Sequence, residues 1–197
     1  MDNTTDIYCL FPKVVAKTSL SLTIEEKNNL NVIYDNKTFI PSKGVNSPDM
    51  SQDLYVLNDV TWLADKFNTV AKNFTENYLK WEKTKLKLST SWFTKTKLGQ
   101  ESSLHTHANH ILSGVFYWNN TDSCKITFEN FNTGHHWEIL PNNNNITFTL
   151  GDCELIIFPS ELHHKIESWS GKEDRKSLAF NWVPSGEIGS FDSKVSI

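Results

Sequence analysis

The chain has 197 residues, a length that suits one compact domain with its own hydrophobic core. Its 19 Lys and Arg residues stand against 23 Asp and Glu residues, a net charge of -4. That balance argues against nucleic-acid binding, which needs clustered positive charge. No apolar run approaches the about 20 residues of a membrane span. We therefore expect a globular protein that contacts neither nucleic acid nor a membrane.

The cysteines and the N-terminus predict the cellular location. Cys9, Cys124 and Cys153 are odd in number, far apart and without a Cys-x-x-Cys pair, which indicates reduced, buried thiols. The first residues lack the cationic start of a secretory signal. Both features favour the cytoplasm. No pattern in the sequence indicates an oligomeric state.

The first 83 residues carry helical patterns. Thr23 with Glu26 three residues later forms a capping box that predicts a short helix over Ile24–Tyr34. Apolar residues at three- and four-residue spacing predict a second helix from Asn58 to Trp81. The stretch Pro41–Gln52, rich in Pro, Ser, Gly and Asn, predicts a loop. We expect this loop, and the loop Asn119–Cys124, to contact substrate because loops commonly do so.

From Leu86 onward the apolar pattern alternates, which is typical of strands. Eight short segments at about ten-residue spacing predict a mainly β fold with N-terminal helices (α+β), a β-sandwich or jelly roll whose helices buttress one sheet. The predicted strands are Lys87–Phe93, His110–Trp118, Lys125–Glu129, His136–Leu140, Ile146–Leu150, Glu154–Phe158, His164–Trp169 and Lys176–Trp182. The predicted organisation is a single domain, 1–197, with a buttress over 1–83 that includes an edge strand at Tyr8–Val15, a β core over 84–183 and a tail over 184–197.

All seven histidines fall between residues 105 and 164. His105 and His107 form a His-x-His pattern, and in extended backbone such residues share one face, so both imidazoles can reach one metal. His164 on a separate strand would complete a facial set of three ligands, with positions left open for a co-substrate and oxygen. His110 faces away in a strand, and we interpret it, like His135 and His136, as not ligating.

Arg175 is the one arginine among the 19 basic residues. A guanidinium binds a carboxylate through two parallel hydrogen bonds, which the ammonium of lysine cannot reproduce. Ser177 shares the strand face of Arg175 and adds a hydroxyl. The pair therefore predicts a carboxylate-binding site. The alternative interpretation is a surface salt bridge of Arg175 with Glu173 or Asp174.

Taken together, these residues resemble a known family. The stretch from Ser91-Trp92 through His105-x-His107, Leu112-Ser113-Gly114-Val115-Phe116-Tyr117, Phe158-Pro159-Ser160, His164 and Arg175-x-Ser177-x-Ala179-Phe180-Asn181 resembles the iron(II)/2-oxoglutarate-dependent oxygenases of marine bacteria and their phages. That family is related to the prolyl-hydroxylase-like group. The resemblance covers about residues 84–183, and Tyr8-x-Leu10-Phe11-Pro12 is similar to the opening strand of the family.

The resemblance implies a double-stranded β-helix, the cupin-like jelly roll, and an oxidoreductase. The implied enzyme is a dioxygenase that uses Fe(II), 2-oxoglutarate and dioxygen to hydroxylate an unidentified small-molecule or peptide substrate, while 2-oxoglutarate is decarboxylated to succinate. The implied site residues are His105, His107 and His164 for the metal, Arg175 and Ser177 for 2-oxoglutarate, and Trp92, Tyr117 and Asn181 for the pocket lining.

The second metal ligand departs from the superfamily pattern, in which Asp or Glu stands two residues after the first histidine. Three interpretations stay open. His107 can ligate and give a three-histidine site. Alternatively, His107 is the first ligand and Asn109 takes the carboxylate position. In the third interpretation, an acid from elsewhere, Glu101 or Asp152, supplies the carboxylate.

Two other functions stay open as well. A metal-binding cupin that does not use 2-oxoglutarate fits Gly99 ahead of His105-x-His107 and, roughly, the stretch from Pro159 to His164. However, Ile111 and Leu112 occupy the place of its expected Glu. A jelly roll without a metal, structural or carbohydrate-binding through its aromatic residues, is the third possibility.

Overall fold

The computed structural model describes residues 13–81, 84–129 and 145–197 of the chain. Several sequence predictions lie outside these residues: the motif Tyr8-x-Leu10-Phe11-Pro12 with most of the strand Tyr8–Val15, the strand His136–Leu140, and the interpretations of Cys9, His135 and His136. Cys124 and Cys153 are described, and both are buried and unpaired.

Strands dominate the described residues, with two α-helices near the N-terminus. The helices are α1 (Ile24–Asp35) and α2 (Thr61–Phe74), and the strands are β1 (Ala16–Ser19), β2 (Phe39–Pro41), β3 (Asp49–Ser51), β4 (Lys85–Thr96), β5 (Leu112–Tyr117), β6 (Cys124–Glu129), β7 (Asn145–Leu150), β8 (Glu154–Pro159), β9 (His163–Ile166), β10 (Arg175–Ser185), β11 (Glu187–Ile188) and β12 (Val195–Ser196). Neither described helix has the length and hydropathy needed to cross a membrane.

Two antiparallel sheets form the body of the fold. The major sheet has seven strands in the order β1-β8-β5-β10-β4-β3-β2, and the minor sheet has the order β7-β6-β9. Strands β11 and β12 form a separate hairpin. The predicted mainly β fold of the jelly-roll type is confirmed.

Alternation along β5 shows how the major sheet separates two cores. Phe116 points toward α1 and α2 and belongs to the core that the helices cover. Its neighbours Val115 and Tyr117 point the other way, into the core between the two sheets. On the helical side, Phe67 of α2 stacks on Phe180 of β10, with ring centroids 4.3 Å apart. The helices therefore buttress the major sheet, as the sequence predicts.

The N-termini of the two helices differ from each other. At α1 the predicted capping box is present: Glu26 N–H donates to Thr23 Oγ1 over 3.1 Å, and Thr23 N–H donates to Glu26 Oε2 over 2.8 Å. The predicted start of the second helix is wrong, since Asn58 closes a 3-10 turn, Val56–Asn58, and α2 starts only at Thr61.

The predicted end of the second helix is wrong too. A π-helical turn, Thr75–Leu79, follows α2 and places an additional residue in the turn. This extra residue shifts the 3.6-residue period, so Tyr78 turns away from the buried face and is 68% exposed.

The predicted loop and tail contain strands. Residues of β3 lie within Pro41–Gln52, and the tail over 184–197 contains the end of β10 and the β11–β12 hairpin. Backbone pairing, such as that of Met50 with Thr94 on β4, makes a strand of a segment whose composition is typical of a loop. Strands β1 to β3 of the N-terminal segment join the major sheet.

Gly114 on β5 provides a test of this packing. A Cβ atom there would lie 2.7 Å from the Phe180 ring, which the stack on Phe67 holds in place. We expect Gly114→Ala to lower the free energy of unfolding by about 1–3 kcal/mol through overpacking. Urea unfolding measures the free energy of unfolding. Gly151→Ala is the control, because a Cβ atom at Gly151 would have its nearest neighbour 3.8 Å away and would not be crowded. Equal stability of the two variants would contradict this packing.

Candidate active site

A cavity of about 290 Å³ opens between the two sheets. Strands β4, β5 and β10 of the major sheet line one side, and β9 of the minor sheet lines the other. Two loops complete the wall: residues 42–48 between β2 and β3, and residues 97–111 between β4 and β5. The first of these belongs to the loop expected to contact substrate, whereas Asn119–Cys124 does not line this cavity.

His105, His107 and His164 meet in this cavity. One ring nitrogen from each lies within 4.8 Å of the others. Two metal–nitrogen bonds of about 2.1 Å span at most about 4.2 Å, so the rings need only a small approach to bind one ion together. Within the described residues, this is the one group of three or more His, Cys, Asp or Glu side chains with such spacing. The structure thus brings together the three histidines that the sequence analysis singled out.

Backbone hydrogen bonds of the loop between β4 and β5 position these histidines. His105 and His164 exchange two N–H···O bonds of 3.0 Å, which places their side chains on one face. His107 N–H donates to the Ser160 carbonyl over 3.0 Å. Strand β5 begins only at Leu112, so these pairings, rather than a continuous strand, align the His-x-His pattern.

Two backbone carbonyls fix the tautomers of the His105 and His164 imidazoles. His105 Nδ1 lies 2.7 Å from the Ser103 carbonyl oxygen, and His164 Nδ1 lies 2.8 Å from the Leu162 carbonyl oxygen. Because a carbonyl only accepts, each Nδ1 carries the proton and donates. The lone pair of each Nε2 is therefore available to a metal.

The pKa values of two imidazoles are strongly lowered. Burial, and then the imidazoles of His164, His105 and His110, lower the pKa of His107 to about 3. Burial and the His105 imidazole lower the pKa of His164 to about 4, although the bond to the Leu162 carbonyl opposes this shift. Both rings are neutral at physiological pH, which is the form that binds metals.

The acids considered as alternative ligands lie elsewhere. Asp152 forms an ion pair with Lys27 at 2.7 Å and accepts the Asn119 N–H over 2.6 Å. Glu101 and Asn109 neither line the cavity nor belong to the ligand cluster. His110 likewise lies outside the cluster.

Arg175 lies in the same cavity and is 1% exposed. Its Nη2 donates to Thr96 Oγ1 over 2.9 Å, while Nε and Nη1 are buried without a hydrogen-bond partner. The guanidinium lies over the rings of Trp169 and Tyr117, 5.4 and 5.8 Å from their centroids. The surface salt bridge considered from sequence is not formed: among the described residues Arg175 makes no ion pair, and Asp174 pairs with Lys95.

Ser177 is flanked by two further hydroxyl groups. The register of β10 sets it opposite Tyr117 of β5 and Thr94 of β4. The Ser177 and Thr94 hydroxyls are hydrogen bonded, whereas the Tyr117 hydroxyl is buried without a partner. Arg175, which lines the cavity, and Tyr117, which lies beneath it and is not a lining residue, therefore have unused hydrogen-bonding groups.

The three residues expected to line the pocket have different positions. Trp92 lines the cavity, 5.9 Å from His107 between ring centroids. Tyr117 lies beneath Arg175 and is fully buried. Asn181, 1% exposed, is farther along β10 and is not among the lining residues.

Asn181 is the centre of a buried hydrogen-bond network instead. Its Oδ1 accepts from the Ser113 hydroxyl over 2.7 Å, and its Nδ2 donates to Thr90 Oγ1 over 2.9 Å. Ser113 in turn contacts the Ser160 hydroxyl at 2.8 Å. Because the Ser160 carbonyl holds His107 N–H, the network connects Asn181 to the His-x-His loop.

The sequence analysis missed Thr94 and Thr96. Both lie on β4 at two-residue spacing from Trp92, so one strand face carries all three side chains toward the cavity or Arg175. The predicted strand ended at Phe93, one residue before Thr94. Continuing the alternation of that strand would have indicated both threonines.

A protein-family model matches the part of the chain that contains this site. Residues 90–181 match the family model described as "Putative 2OG-Fe(II) oxygenase". Residues 90–181 belong to the 2OG-Fe(II) oxygenase family. The protein is accordingly an oxidoreductase whose cofactors are iron(II) and 2-oxoglutarate, and enzymes of this family act on small-molecule or peptide substrates with dioxygen. No curated protein sequence matches the chain.

Solved structures share the fold of this oxygenase. A 2OG-Fe(II) oxygenase family protein from Burkholderia pseudomallei has a TM-score of 0.63 and 9% identity over 86% of this chain and 84% of its own. HygX from Streptomyces hygroscopicus, solved with nickel, 2-oxoglutarate and hygromycin B, has a TM-score of 0.62 and 8% identity over 87% and 83%. A Trichoplax adhaerens prolyl hydroxylase, in complex with a hypoxia inducible factor peptide fragment, has a TM-score of 0.61 and 10% identity over 86% and 83%.

The Asn181 network yields a prediction about stability and metal binding together. Asn181→Leu leaves Ser113 and Thr90 without their partner, so we expect the free energy of unfolding to fall by about 1–3 kcal/mol. Because the network supports the His-x-His loop, iron(II) affinity should also fall by about tenfold. Urea unfolding and anaerobic chelator competition measure the two effects.

Phe67→Leu on α2 is the matched control for the Asn181 variant. It removes packing on the helical side of the sheet, so it should cost stability without changing iron(II) affinity. Equal iron(II) affinity in the Asn181→Leu variant and the unmodified protein would show that the network does not support the metal-binding loop.

Proposed function

We propose that this oxygenase binds iron(II) through His105, His107 and His164, binds the far carboxylate of 2-oxoglutarate through Arg175 and Ser177, and hydroxylates a small-molecule or peptide substrate. The products of the co-substrates are succinate and carbon dioxide, and one oxygen atom of dioxygen enters the substrate. The residue roles and the hydroxylation are the parts of this proposal that go beyond membership of the family.

The main support for this proposal is the buried Arg175 guanidinium. An unpaired buried charge is costly, and Arg175 has two N–H groups that no described residue accepts. A carboxylate that accepts both would form the bidentate, charge-assisted pair that arginine favours. The hydroxyls of Ser177 and Tyr117 lie beside that position and can donate to the same group. The residues present thus fit one end of a dicarboxylate.

The three imidazoles fit the metal. Two of them have Nε2 lone pairs freed by Nδ1–H bonds to backbone carbonyls, and the lowered pKa values of His107 and His164 keep those rings neutral. When bound, iron(II) and 2-oxoglutarate supply the activation of dioxygen and the oxidation of a substrate C–H bond. The chain holds both groups between two sheets that limit the access of water.

His107 is our choice for the second ligand. It belongs to the cluster within 4.8 Å, whereas Glu101 and Asp152 do not, and Asn109 does not line the cavity. Three neutral ligands carry no negative charge, so they hold iron(II) less firmly than a set with a carboxylate. A cupin without 2-oxoglutarate would leave Arg175 without a counter-ion, which is why we favour the oxygenase with its dicarboxylate.

The bidentate role of Arg175 yields the test. Arg175→Lys keeps the charge and loses the planar fork, so we expect the dissociation constant for 2-oxoglutarate to rise at least about tenfold, or 1.4 kcal/mol. Anaerobic calorimetry on the iron-loaded protein measures it. Ser177→Ala, which removes one hydroxyl, should have a smaller effect. Iron binding shows that each variant is folded, and an unchanged affinity in Arg175→Lys would contradict the proposed role.

A further inference from the structure

The described residues that line the cavity include no Asp or Glu. Two cationic side chains line it, Arg175 and Lys43, although the whole chain has a net charge of -4. A cleft lined by one sign of charge attracts ions of the opposite sign and raises their local concentration. The cavity therefore favours anionic molecules.

Arg175 and Lys43 lie at different depths of the cavity. Arg175 is buried, whereas Lys43 is exposed on the loop between β2 and β3. Under the proposed function, the charges of iron(II) and the 2-oxoglutarate dianion cancel. Because the lining has no acid, the positive charges of Arg175 and Lys43 then remain in excess. Binding of 2-oxoglutarate and iron(II) alone therefore does not neutralise the positive charge of this cavity.

Lys43 has no counter-ion within the described chain. The acid nearest to it in sequence, Asp49, forms an ion pair with Lys97 at 3.2 Å. Most described lysines pair with a carboxylate, whereas Lys43, like Lys87 of β4, does not. Its ammonium is available to a ligand.

The loop that carries Lys43 is fastened to the loop that precedes His105. Gln100 Nε2 donates to the Ser47 carbonyl over 2.9 Å, and Glu101 N–H donates to the Asn46 carbonyl over 3.2 Å. These two hydrogen bonds hold the backbone near Lys43 at the cavity mouth.

We propose that Lys43 binds the anionic group, a carboxylate or a phosphate monoester, of a small organic substrate. The inference rests on the proposed function and adds the chemical class of the substrate. The lining of the cavity also includes apolar side chains, among them Met50, Trp92 and Ile166. The substrate therefore combines an apolar body that reaches toward the histidines with an oxyanion at the mouth.

Anaerobic calorimetry with three probes of matched length tests this inference. Pentanoate, monobutyl phosphate and the neutral pentanamide are titrated into protein saturated with iron(II) and 2-oxoglutarate, so that Arg175 is already occupied. Lys43→Gln removes the charge at the mouth. Lys87→Gln is the matched control, because Lys87 is exposed on β4, without a described ion-pair partner and outside the cavity.

We expect the anions to bind more tightly than pentanamide, and their dissociation constants to rise about threefold to fivefold in Lys43→Gln, the range of an exposed charge pair. Added salt should weaken this binding, and Lys87→Gln and pentanamide should show no change. The anion with the larger loss identifies the carboxylate or the phosphate. Equal losses of affinity for the two anions would show that Lys43 recognises the negatively charged oxygens that both groups share.

Three results would overturn the inference: anions that bind no better than pentanamide, equal anion affinity in Lys43→Gln and the unmodified protein, or a loss of 2-oxoglutarate affinity in Lys43→Gln as large as that for the probes. The last result would make Lys43 part of the co-substrate site. Failure of the unmodified protein to bind 2-oxoglutarate appears before any probe is added, and it would overturn the proposed function instead.

Discussion

Arg175 holds a positive charge between the two sheets with one described hydrogen bond, from Nη2 to Thr96. Burial of a guanidinium without a counter-ion opposes folding, so the surrounding packing must hold the side chain in place. Trp169 and Tyr117 cover it, and the indole N–H of Trp169 is itself bonded to the Glu173 carbonyl over 2.7 Å. The same burial that costs stability makes a bound carboxylate strongly favourable. The site is thus preorganised for an anion.

Strand β10 connects this charge to the rest of the molecule. It lies between β5 and β4 in the major sheet, and its residues alternate between two environments. Arg175, Ser177 and Asn181 face the site and its supporting network, while Phe180 and Trp182 face the core under the helices. The stack of Phe67 on Phe180 stabilises this strand from the side of the helices. One strand thus carries residues of the site on one face and residues of the core on the other.

Local patterns predicted much of this arrangement, because they depend on neighbours in sequence. The alternation after Leu86 indicated the sheets, and the Thr23–Glu26 capping box indicated α1. Features that depend on distant contacts were not predictable. The π-helical turn that exposes Tyr78 leaves no mark in the apolar spacing. The hydrogen bonds of Asn181 depend on Ser113 and Thr90, which strand pairing brings near it. His105 meets His164 because the loop before β5 pairs with β9, a contact distant in sequence. The His-x-His pattern with a third histidine on a separate strand suggested this set, and the family resemblance implied the same residues.

Anaerobic titration of iron(II) into the unmodified protein, with and without 2-oxoglutarate, tests the central claim most directly. The claim is that three imidazoles and one buried guanidinium form a joint site for iron(II) and a dicarboxylate. It predicts a visible charge-transfer band that appears only when both are present and saturates at one iron per chain. The account would be contradicted if 2-oxoglutarate neither raised the affinity for iron(II) nor produced the charge-transfer band.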